Sequence, residues 1–277
     1  EEPPPADRRT VRSLYAGSPE QATGGEARDY NVVFLFLESW SGAFVSSYGH
    51  ELPTTPVFDR LRREGLSAQA MLAGGRRTTE GMFASLCSAQ NPLGNTVAQG
   101  QLQNYSYHCL PRLLRESGYE TAFFQGTISG TSGTGAFAQL LGFERSYGRE
   151  HMDMDALRYE RNSWGVHDPD LYDFAIEKMR SMPAPFLVGI NTNSTHDAVL
   201  PEGVEPRFDV DRDHATHLNT LHFADRALGE FIEKVKQTEG IGPTLFVLVA
   251  DHTGPNLGSG YYNFLIPFAV VGPGVAA

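Results

Sequence analysis

The sequence lacks any uninterrupted apolar run of about 18 residues, the length that a membrane-spanning helix needs. It also lacks a positive net charge, since 33 acidic residues outnumber 22 basic ones and give −11. This charge argues against a general nucleic-acid-binding protein, because phosphate backbones attract Lys and Arg. An anionic substrate still fits, because a local pair such as Arg76–Arg77 can reverse the electric field inside a cleft.

Cysteine is scarce, with only Cys87 and Cys109 in the chain. Two interpretations are open. Both thiols are buried and act as small apolar side chains, or they form one disulfide between neighbouring helices, which implies an oxidising compartment. Spacing along the sequence does not choose between them, because disulfide geometry depends on positions in space.

Few apolar residues occur over residues 1–30, where EEPPPADRRT and AGSPEQATGGEARD carry Pro, Gly and charge. This composition predicts an exposed linker. The chain shows no signal peptide, and it stops just after the apolar stretch FLIPFAVVGPGVAA. We therefore expect a linker over 1–30 and one domain over 31–277, both cut from a longer protein.

From residue 31 onward, apolar segments that fit buried strands alternate with segments that fit helices. The strand segments are NVVFLFLES, YETAFFQG, PFLVGINTNSTH, PTLFVLVADHTG and FLIPFAVVGPG. The helical segments are TTPVFDRLRREG, with Thr54 or Thr55 as its expected N-cap and Gly65 as terminator, LPRLLRESG, DPDLYDFAIEKMRSM and a long amphipathic segment after His214. The alternation predicts an α/β domain with a largely parallel central sheet.

Groups that bind metals or transfer protons follow three of these strands. They are Glu38, His196 and the pair Asp251–His252. Ligands of such sheets bind beyond the carboxyl ends of the strands, and two carboxylates with an imidazole suit Zn²⁺ or Mn²⁺ with a fourth position open. Taken singly, Glu38 also fits a capping acid in the next loop, and Asp251–His252 fits a turn with a salt link.

The stretch GGRRTTEGMFASLCS, residues 74–88, places two arginines and two threonines before a helix. A polar loop can have this composition by chance. It also fits an anion site with a nucleophile, because a helix N-terminus favours anions and metal coordination activates a hydroxyl. The sequence therefore predicts phosphoryl or sulfuryl transfer through a covalent enzyme intermediate. Composition alone does not choose between Thr78 and Thr79.

Several segments, taken in order, resemble the sulfatase-like branch of the alkaline phosphatase superfamily, above all its phosphoglycerol and phosphoethanolamine transferases such as lipoteichoic acid synthase. They are NVVFLFLES, RTTEGMFASLCS, CLPRLLRESGYETAFFQG, LGFERSYG, SWGVHDPDLYDFA, NTNSTHDAVLP, HFADRALGEFI, VADHTG and IPFAVVGPG, within residues 31–274. The resemblance implies a three-layer α/β/α sandwich, one divalent metal ion (Mn²⁺ or Zn²⁺) and a threonine nucleophile.

The resemblance also implies where the protein acts and on what. We expect an extracytoplasmic domain, periplasmic or at the cell surface, of a bacterial protein held in the membrane by an anchor before the linker. The substrate would be an anionic lipid or glycan head group of the envelope. The closing strand and helix of the family are missing after GPG, so we expect the domain to be truncated at its C-terminus.

Residue by residue, the family motifs place the metal site and nucleophile at Glu38, Thr78, Asp251 and His252. In relatives the nucleophile stands three residues before a small residue, and Gly81 marks Thr78 by that count. His196 matches the histidine that contacts the substrate phosphate or protonates the leaving group. The remaining assignments are Arg77, Trp164 and Asp168 on the substrate side, His167 as a bystander, His214, His217 and His222 at the surface, and a Cys87–Cys109 disulfide.

Two departures from the family narrow the function. The segment GTISGTSGTGAFAQLLGF lacks the arginine that glycerol-polymer synthases carry after the central strand, which argues against a phosphoglycerol substrate. The Cys/Ser-x-Pro-x-Arg motif of formylglycine sulfatases is missing, which disfavours a sulfuric-ester hydrolase. The leading hypothesis is a metal-dependent transferase or hydrolase of phosphodiester head groups. The alternatives are a catalytically inactive sensor or binding domain, or a sulfuric-ester hydrolase.

Overall fold

The computed structural model describes residues 29–92, 96–98, 105–255, 257 and 260–276. The predicted linker over 1–30 lies outside the described residues except for its last two positions. Among the described residues, no helix has both the length and the apolar character needed to cross a membrane.

In the part of the chain that the structure describes, nine strands and six α-helices follow one another. The predicted strand and helical segments occur among them in the predicted order, whereas the short strands at 66–67, 71–72 and 145–147 and the helix at 134–140 were not predicted. The strands are β1 (Asn31–Leu37), β2 (Leu66–Ser67), β3 (Met71–Leu72), β4 (Glu120–Gln125), β5 (Arg145–Tyr147), β6 (Phe186–Asn191), β7 (Thr244–Ala250), β8 (Leu265–Ile266) and β9 (Phe268–Val271). The helices are α1 (Pro56–Glu64), α2 (Thr78–Cys87), α3 (Leu110–Glu116), α4 (Thr134–Leu140), α5 (Asp168–Met179) and α6 (Ala215–Gln237).

Seven strands form the central sheet in the order β2-β9-β7-β1-β6-β4-β5. The five strands from β7 to β5 run parallel to one another. Strand β9 pairs antiparallel with β7 and with β2, and β3 with β8 forms a separate two-stranded ribbon. The predicted largely parallel sheet is confirmed.

Both faces of the sheet are covered by apolar packing. Successive side chains of a strand point to opposite faces, and all five residues from Val33 to Leu37 in β1 are at most 6% exposed. Helices α1 and α5 pack with α6, whereas α3 and α4 pack with α2. A strand buried on both faces with two groups of helices is the predicted three-layer α/β/α sandwich.

The long amphipathic segment forms α6, and its apolar stripe faces the core as predicted. Leu218, Leu221, Ala224, Leu228, Phe231 and Val235 are all buried. Tyr172 of α5 stacks on Phe231 with 4.3 Å between ring centroids. The surface prediction for the nearby histidines holds for His214 but is wrong for His217, which is 5% exposed because it packs inward against Phe44.

Helix α1 has Thr55 at its N-cap position and Gly65 after its last residue, as predicted. The Thr55 side chain makes no capping hydrogen bond. Instead, the buried Asp225 carboxylate of α6 accepts hydrogen bonds from the backbone N–H groups of Val57 and Phe58, each at 2.8 Å. The free donors of a helix start need such an acceptor, and here a different helix supplies it.

Candidate metal and nucleophile site

The carboxyl ends of β1, β6 and β7 carry the predicted site residues. Glu38 directly follows β1, and Asp251 with His252 directly follows β7. Because β1 lies between β6 and β7, with Leu37 opposite Ala250, these side chains meet at one edge of the sheet. One ligand atom from each of Glu38, Asp251 and His252 lies within 4.8 Å of the other two.

His252 presents one defined ring nitrogen to the two carboxylates. Its Nδ1 lies 3.1 Å from the carbonyl oxygen of Thr253, to which it donates in the neutral ring. Its Nε2 lies 3.4 Å from Glu38 Oε1 and 3.5 Å from Asp251 Oδ2. A carbonyl that holds one ring N–H leaves the other nitrogen free as a metal ligand.

The two carboxylates are almost fully buried, with Glu38 3% and Asp251 0% exposed. Asp251 Oδ1 accepts hydrogen bonds from the N–H groups of Ser39 and His252, at 3.0 and 2.8 Å. Asp251 Oδ2 has no hydrogen-bond donor among the described residues. A buried carboxylate oxygen without a donor needs a cation or a proton.

The pKa values of Asp251 and Glu38 also indicate that this pair needs a cation. Burial raises the pKa of Asp251 to about 7, and the charge of Glu38 adds to the rise. Burial also opposes ionisation of Glu38, but its hydrogen bond with His196 and the charge of His252 bring its pKa down to about 2. Two buried carboxylates at this separation are not both ionised without a nearby positive charge. This donor set fits a divalent cation.

Only one of the two threonines faces this cluster. Thr78 is the first residue of α2, and its hydroxyl donates to Glu38 Oε2 at 3.3 Å. Thr79 is 6% exposed and packs in the first turn. Glu80 fixes the entry of the chain into the helix, because its carboxylate accepts a hydrogen bond from the Arg76 N–H at 2.7 Å.

Gly81 brings α2 against the end of β7. A Cβ at this position would lie 2.0 Å from the backbone oxygen of Asp251 and 2.8 Å from its Cα. The helix that begins with Thr78 therefore touches the chain at Asp251 through backbone atoms alone. The sequence predicts that Gly81 marks Thr78 and lets the helix start tightly, but it does not predict this contact with Asp251.

His196 lies beside the cluster and under an aromatic ring. Its Nδ1 is 3.1 Å from Glu38 Oε1, and Trp164 stacks on the imidazole with 4.0 Å between centroids at 14°. Burial lowers the pKa of His196, but the hydrogen bond and charge of Glu38 outweigh this and raise it above the ordinary value. Trp164 is 36% exposed, so part of its ring stays accessible.

Asp168 is buried and holds a neighbouring loop. It is 1% exposed, and its Oδ1 accepts hydrogen bonds from the N–H groups of Asn193 and Ser194 at 2.6 and 2.9 Å. The carboxylate therefore fixes the loop between β6 and His196, and its role on the substrate side stays a prediction. Arg77 is exposed at the N-cap of α2, next to Thr78.

A small polar cavity adjoins Thr78 and Glu38. The polar side chains along its outer wall are Gln125, Thr127, Thr131, Ser132 and Thr134. Thr127, Thr131, Ser132 and Thr134 belong to the segment that the sequence singled out for lacking an arginine, and Gln125 is the last residue of β4. The hydroxyl-rich composition of that segment was the sequence signal for this wall.

The sulfatase family pattern matches residues 30–269, which is most of the chain. The chain belongs to the sulfatase family. Phosphoglycerol transferase I from Salmonella typhi is 27% identical to it over an alignment of 241 residues. The alignment covers 82% of this chain and 31% of that protein. The chain thus spans about a third of the length of this relative. These matches support the predicted membership of the sulfatase family.

Solved structures share the fold of this sulfatase-family chain. A protein in the alkaline phosphatase superfamily from Vibrio parahaemolyticus aligns with a TM-score of 0.80 and 29% identity, over 91% of this chain and 62% of its own. The lipoteichoic acid synthase LtaP from Listeria monocytogenes gives a TM-score of 0.81 at 20% identity, over 96% and 72%. The alkaline phosphatase-like fold is confirmed.

One structural neighbour was solved with a metal. The C-terminal periplasmic domain of EcEptC from Escherichia coli, in complex with Zn, aligns with a TM-score of 0.62 at 19% identity, over 88% of this chain and 73% of its own. That similarity shows a common fold.

The sulfatase-family chain also contains the expected crosslink. Cys87, the last residue of α2, and Cys109, the N-cap of α3, form a disulfide across 22 positions of sequence. The bond ties the far end of the Thr78 helix to its neighbour in the same layer. The prediction of a Cys87–Cys109 disulfide is confirmed, and both cysteines are accounted for.

Proposed function

We propose that this chain is the catalytic domain of a metal-dependent transferase or hydrolase of phosphodiester head groups. One observation carries the proposal: the Thr78 hydroxyl, at a helix start, hydrogen-bonds a carboxylate of the buried Glu38–Asp251–His252 cluster. A hydroxyl beside a metal-binding set and a helix N-terminus is suited to attack a phosphate ester.

Glu38, Asp251 and His252 would hold one divalent ion, Mn²⁺ or Zn²⁺, with Thr78 as a further ligand. The unpaired Asp251 Oδ2 and the inward Nε2 of His252 support this assignment. When bound, the ion supplies positive charge that acidifies a neighbouring hydroxyl and neutralises phosphate oxygens.

The reaction then proceeds in two steps, in which Thr78 and His196 take part. Thr78 Oγ1 attacks the phosphorus, loses its proton to solvent, and forms a phosphothreonine diester while the bond from phosphorus to the leaving oxygen breaks. His196 protonates that leaving oxygen. In the second step neutral His196 takes the proton of an acceptor hydroxyl, or of water, whose oxygen attacks the phosphorus. The bond from phosphorus to Thr78 Oγ1 then breaks, and that oxygen takes a proton from solvent. Transferase and hydrolase differ only in this acceptor.

Supporting evidence for the substrate class comes from the relatives, which are named as a phosphoglycerol transferase and a lipoteichoic acid synthase. We propose an anionic lipid or glycan head group of the bacterial envelope, with Arg77 and Trp164 on the substrate side. The disulfide supports an extracytoplasmic location, because such bonds persist in oxidising compartments. A membrane anchor before the linker is part of the same proposal.

The deciding experiment is intact mass spectrometry after incubation with Mn²⁺ and phosphatidylglycerol or phosphatidylethanolamine. The wild type should gain the mass of one glycerophosphate or phosphoethanolamine unit, and Thr78→Ala should gain none while keeping its melting temperature. Thr79→Ala is the matched control and should still form the adduct. An adduct in Thr78→Ala would refute the assignment of Thr78 as the nucleophile.

The same samples separate the two alternatives. A wild type with no adduct, no turnover and no metal-dependent thermal shift would identify a binding domain instead of an enzyme. Release of sulfate from an aryl sulfate, without reaction of either phospholipid, would identify a sulfuric-ester hydrolase.

A further inference from the structure

An exposed apolar ribbon stands at the edge of the molecule that carries the metal cluster. We define it as β3 and β8 together with residues 261–264, which directly precede β8. Its exposed apolar side chains are Leu72 (56%), Tyr261 (50%), Tyr262 (60%) and Phe264 (39%). Side chains of this size are usually buried, and a group of them on one exposed element marks an interaction surface.

The two segments of chain that contain the ribbon carry no acidic residue, although the chain has 33. Residues 253–277 contain no charged side chain, and residues 65–79 contain only Arg76 and Arg77. Both arginines are exposed. In a protein with a net charge of −11, the ribbon itself is therefore uncharged and has two exposed cations beside it, with the Glu80 carboxylate bonded to the Arg76 N–H.

The ribbon is joined to the catalytic edge on both of its strands. Strand β3 leads into the Thr78 helix, and Ala73 N–H donates to the carbonyl oxygen of Phe264 at 2.7 Å. Strand β8 leads into β9, whose Phe268 lies opposite Val249 near the end of β7. A groove open to solvent lies between the ribbon and α2, lined in part by Leu72, Ile266, Gly81 and Ala84.

We propose that this ribbon docks on the surface of an anionic lipid bilayer. Tyr261, Tyr262, Phe264 and Leu72 enter the interface between head groups and acyl chains, where aromatic side chains are favoured. Arg76 and Arg77 lie against the lipid phosphates, which also attract basic residues. Docking by this edge turns the mouth of the Thr78 site towards the bilayer, so a lipid head group reaches it without leaving the membrane.

Charge complementarity favours a bilayer over a second copy of the chain as the occupant. A partner copy carries the same net negative charge and the same two cations beside the ribbon, so two such edges facing each other would oppose Arg to Arg. An anionic bilayer offers opposite charge to the arginines and an apolar phase to the aromatic rings.

The test is co-sedimentation of the 277-residue chain with vesicles of phosphatidylglycerol and phosphatidylcholine, compared with phosphatidylcholine alone. We expect binding to the anionic vesicles, weakened by salt, and a loss of tenfold or more in Tyr261→Ser/Tyr262→Ser. Arg76→Gln should lose about fivefold, the effect of one basic residue at such a surface. Thermal melts confirm that each variant is folded.

The matched control is Leu113→Ser/Val210→Ser, which removes two exposed apolar side chains outside the ribbon, 47% and 63% exposed. It should bind as the wild type does. Equal losses in both double variants, or no wild-type binding to anionic vesicles, would overturn the proposal. So would a dimer in sedimentation velocity that the ribbon variant dissociates, because the ribbon would then join two copies.

A second measurement, the turnover of two forms of the donor, separates docking from catalysis. With a short-chain donor dissolved as monomers, Tyr261→Ser/Tyr262→Ser should turn over as the wild type does. With the donor embedded in vesicles, its turnover should fall. Equal turnover of the variant in both formats would contradict docking and leave the proposed function untouched.

Discussion

At the scale of single residues, Asp251 does most to define the site. One of its oxygens is held by two backbone N–H groups, and the other has no donor among the described residues. This geometry orients the carboxylate towards His252 before any ligand arrives. A positioned oxygen of this kind lowers the reorganisation cost of binding a cation.

We predict that Asp251→Asn abolishes stoichiometric binding of a divalent metal. A site with three protein side chains has no spare ligand, and the amide adds N–H donors towards His252. Metal content after gel filtration, together with the metal-dependent shift of the melting temperature, measures the effect. The matched control is Asp168→Asn, which changes a buried carboxylate outside the cluster and should keep the metal. Full metal occupancy in Asp251→Asn would refute the assignment of Asp251 as a ligand.

At the scale of elements, helix α2 joins three features of the site. It begins with Thr78, touches Asp251 at Gly81 and ends in the disulfide at Cys87. The start and the end of this helix are therefore fixed by different parts of the fold. Its position, more than the identity of its apolar residues, determines where the Thr78 hydroxyl lies.

We predict that Gly81→Ala lowers turnover by about 10²-fold, because a helix shifted by about 1 Å misplaces the Thr78 hydroxyl. The added Cβ would lie 2.0 Å from a backbone oxygen, which cannot move aside as a side chain can. Overpacking of this kind costs about 1–3 kcal/mol of the free energy of unfolding. Adduct formation and chemical denaturation measure the two effects.

The control for this variant is Gly229→Ala in the middle of α6. There the atoms nearest to an added Cβ belong to the side chain of Val57, whose two methyl groups lie at 3.0 and 3.1 Å. We expect nearly unchanged turnover, because a side chain can yield and the site is not touched. Equal losses in the two variants would show that Gly81 has no special relation to the site.

We predict that replacing both cysteines, as Cys87→Ser/Cys109→Ser, lowers the free energy of unfolding by about 3 kcal/mol, because the unfolded chain regains the freedom of the closed loop. Urea denaturation of the double variant, and of the wild type with and without reductant, measures this. Adduct formation at low urea should persist, because α2 also packs against Asp251 through Gly81. Two titratable thiols in the unfolded, unreduced wild type would contradict the prediction.

At the scale of the whole molecule, stability depends on pH through histidines buried without a charge partner. Burial lowers the pKa of His217 to about 4, and Nε2 of its ring has no hydrogen-bond partner among the described residues. The unfolded chain protonates this residue near its ordinary pKa of 6.5. The folded protein therefore loses stability as the pH falls from about 6.5 to about 4.

We predict that His217→Phe removes about 3 kcal/mol of this pH dependence, which is the shift converted at about 1.4 kcal/mol per pH unit. Phenylalanine keeps the packing of the ring against Phe44, whose centroid lies 5.1 Å away. Denaturation at pH 7 and at pH 4.5 should show wild type losing more than the variant. Parallel losses would show that His217 does not titrate on unfolding.

The sequence predicts features that depend on neighbours in the chain and misses those that depend on distant ones. Continuous apolar runs predict strands such as β1, and the residues that end those strands predict the Glu38–Asp251–His252 cluster. In contrast, Asp225 caps α1 across 168 positions of sequence, and Asp168 holds a loop 25 positions away. No local pattern identifies such partners, because they meet only after the sheet is assembled.

The backbone contact between Gly81 and Asp251 has a consequence for redesign of the protein. Side chains can be exchanged to widen or narrow most clefts, but no side chain separates these two segments. In the proposed enzyme this contact fixes how closely the Thr78 helix approaches Asp251. New specificities would be sought among the other residues that line the cleft, of which Thr127, Thr131 and Ser132 are available for substitution.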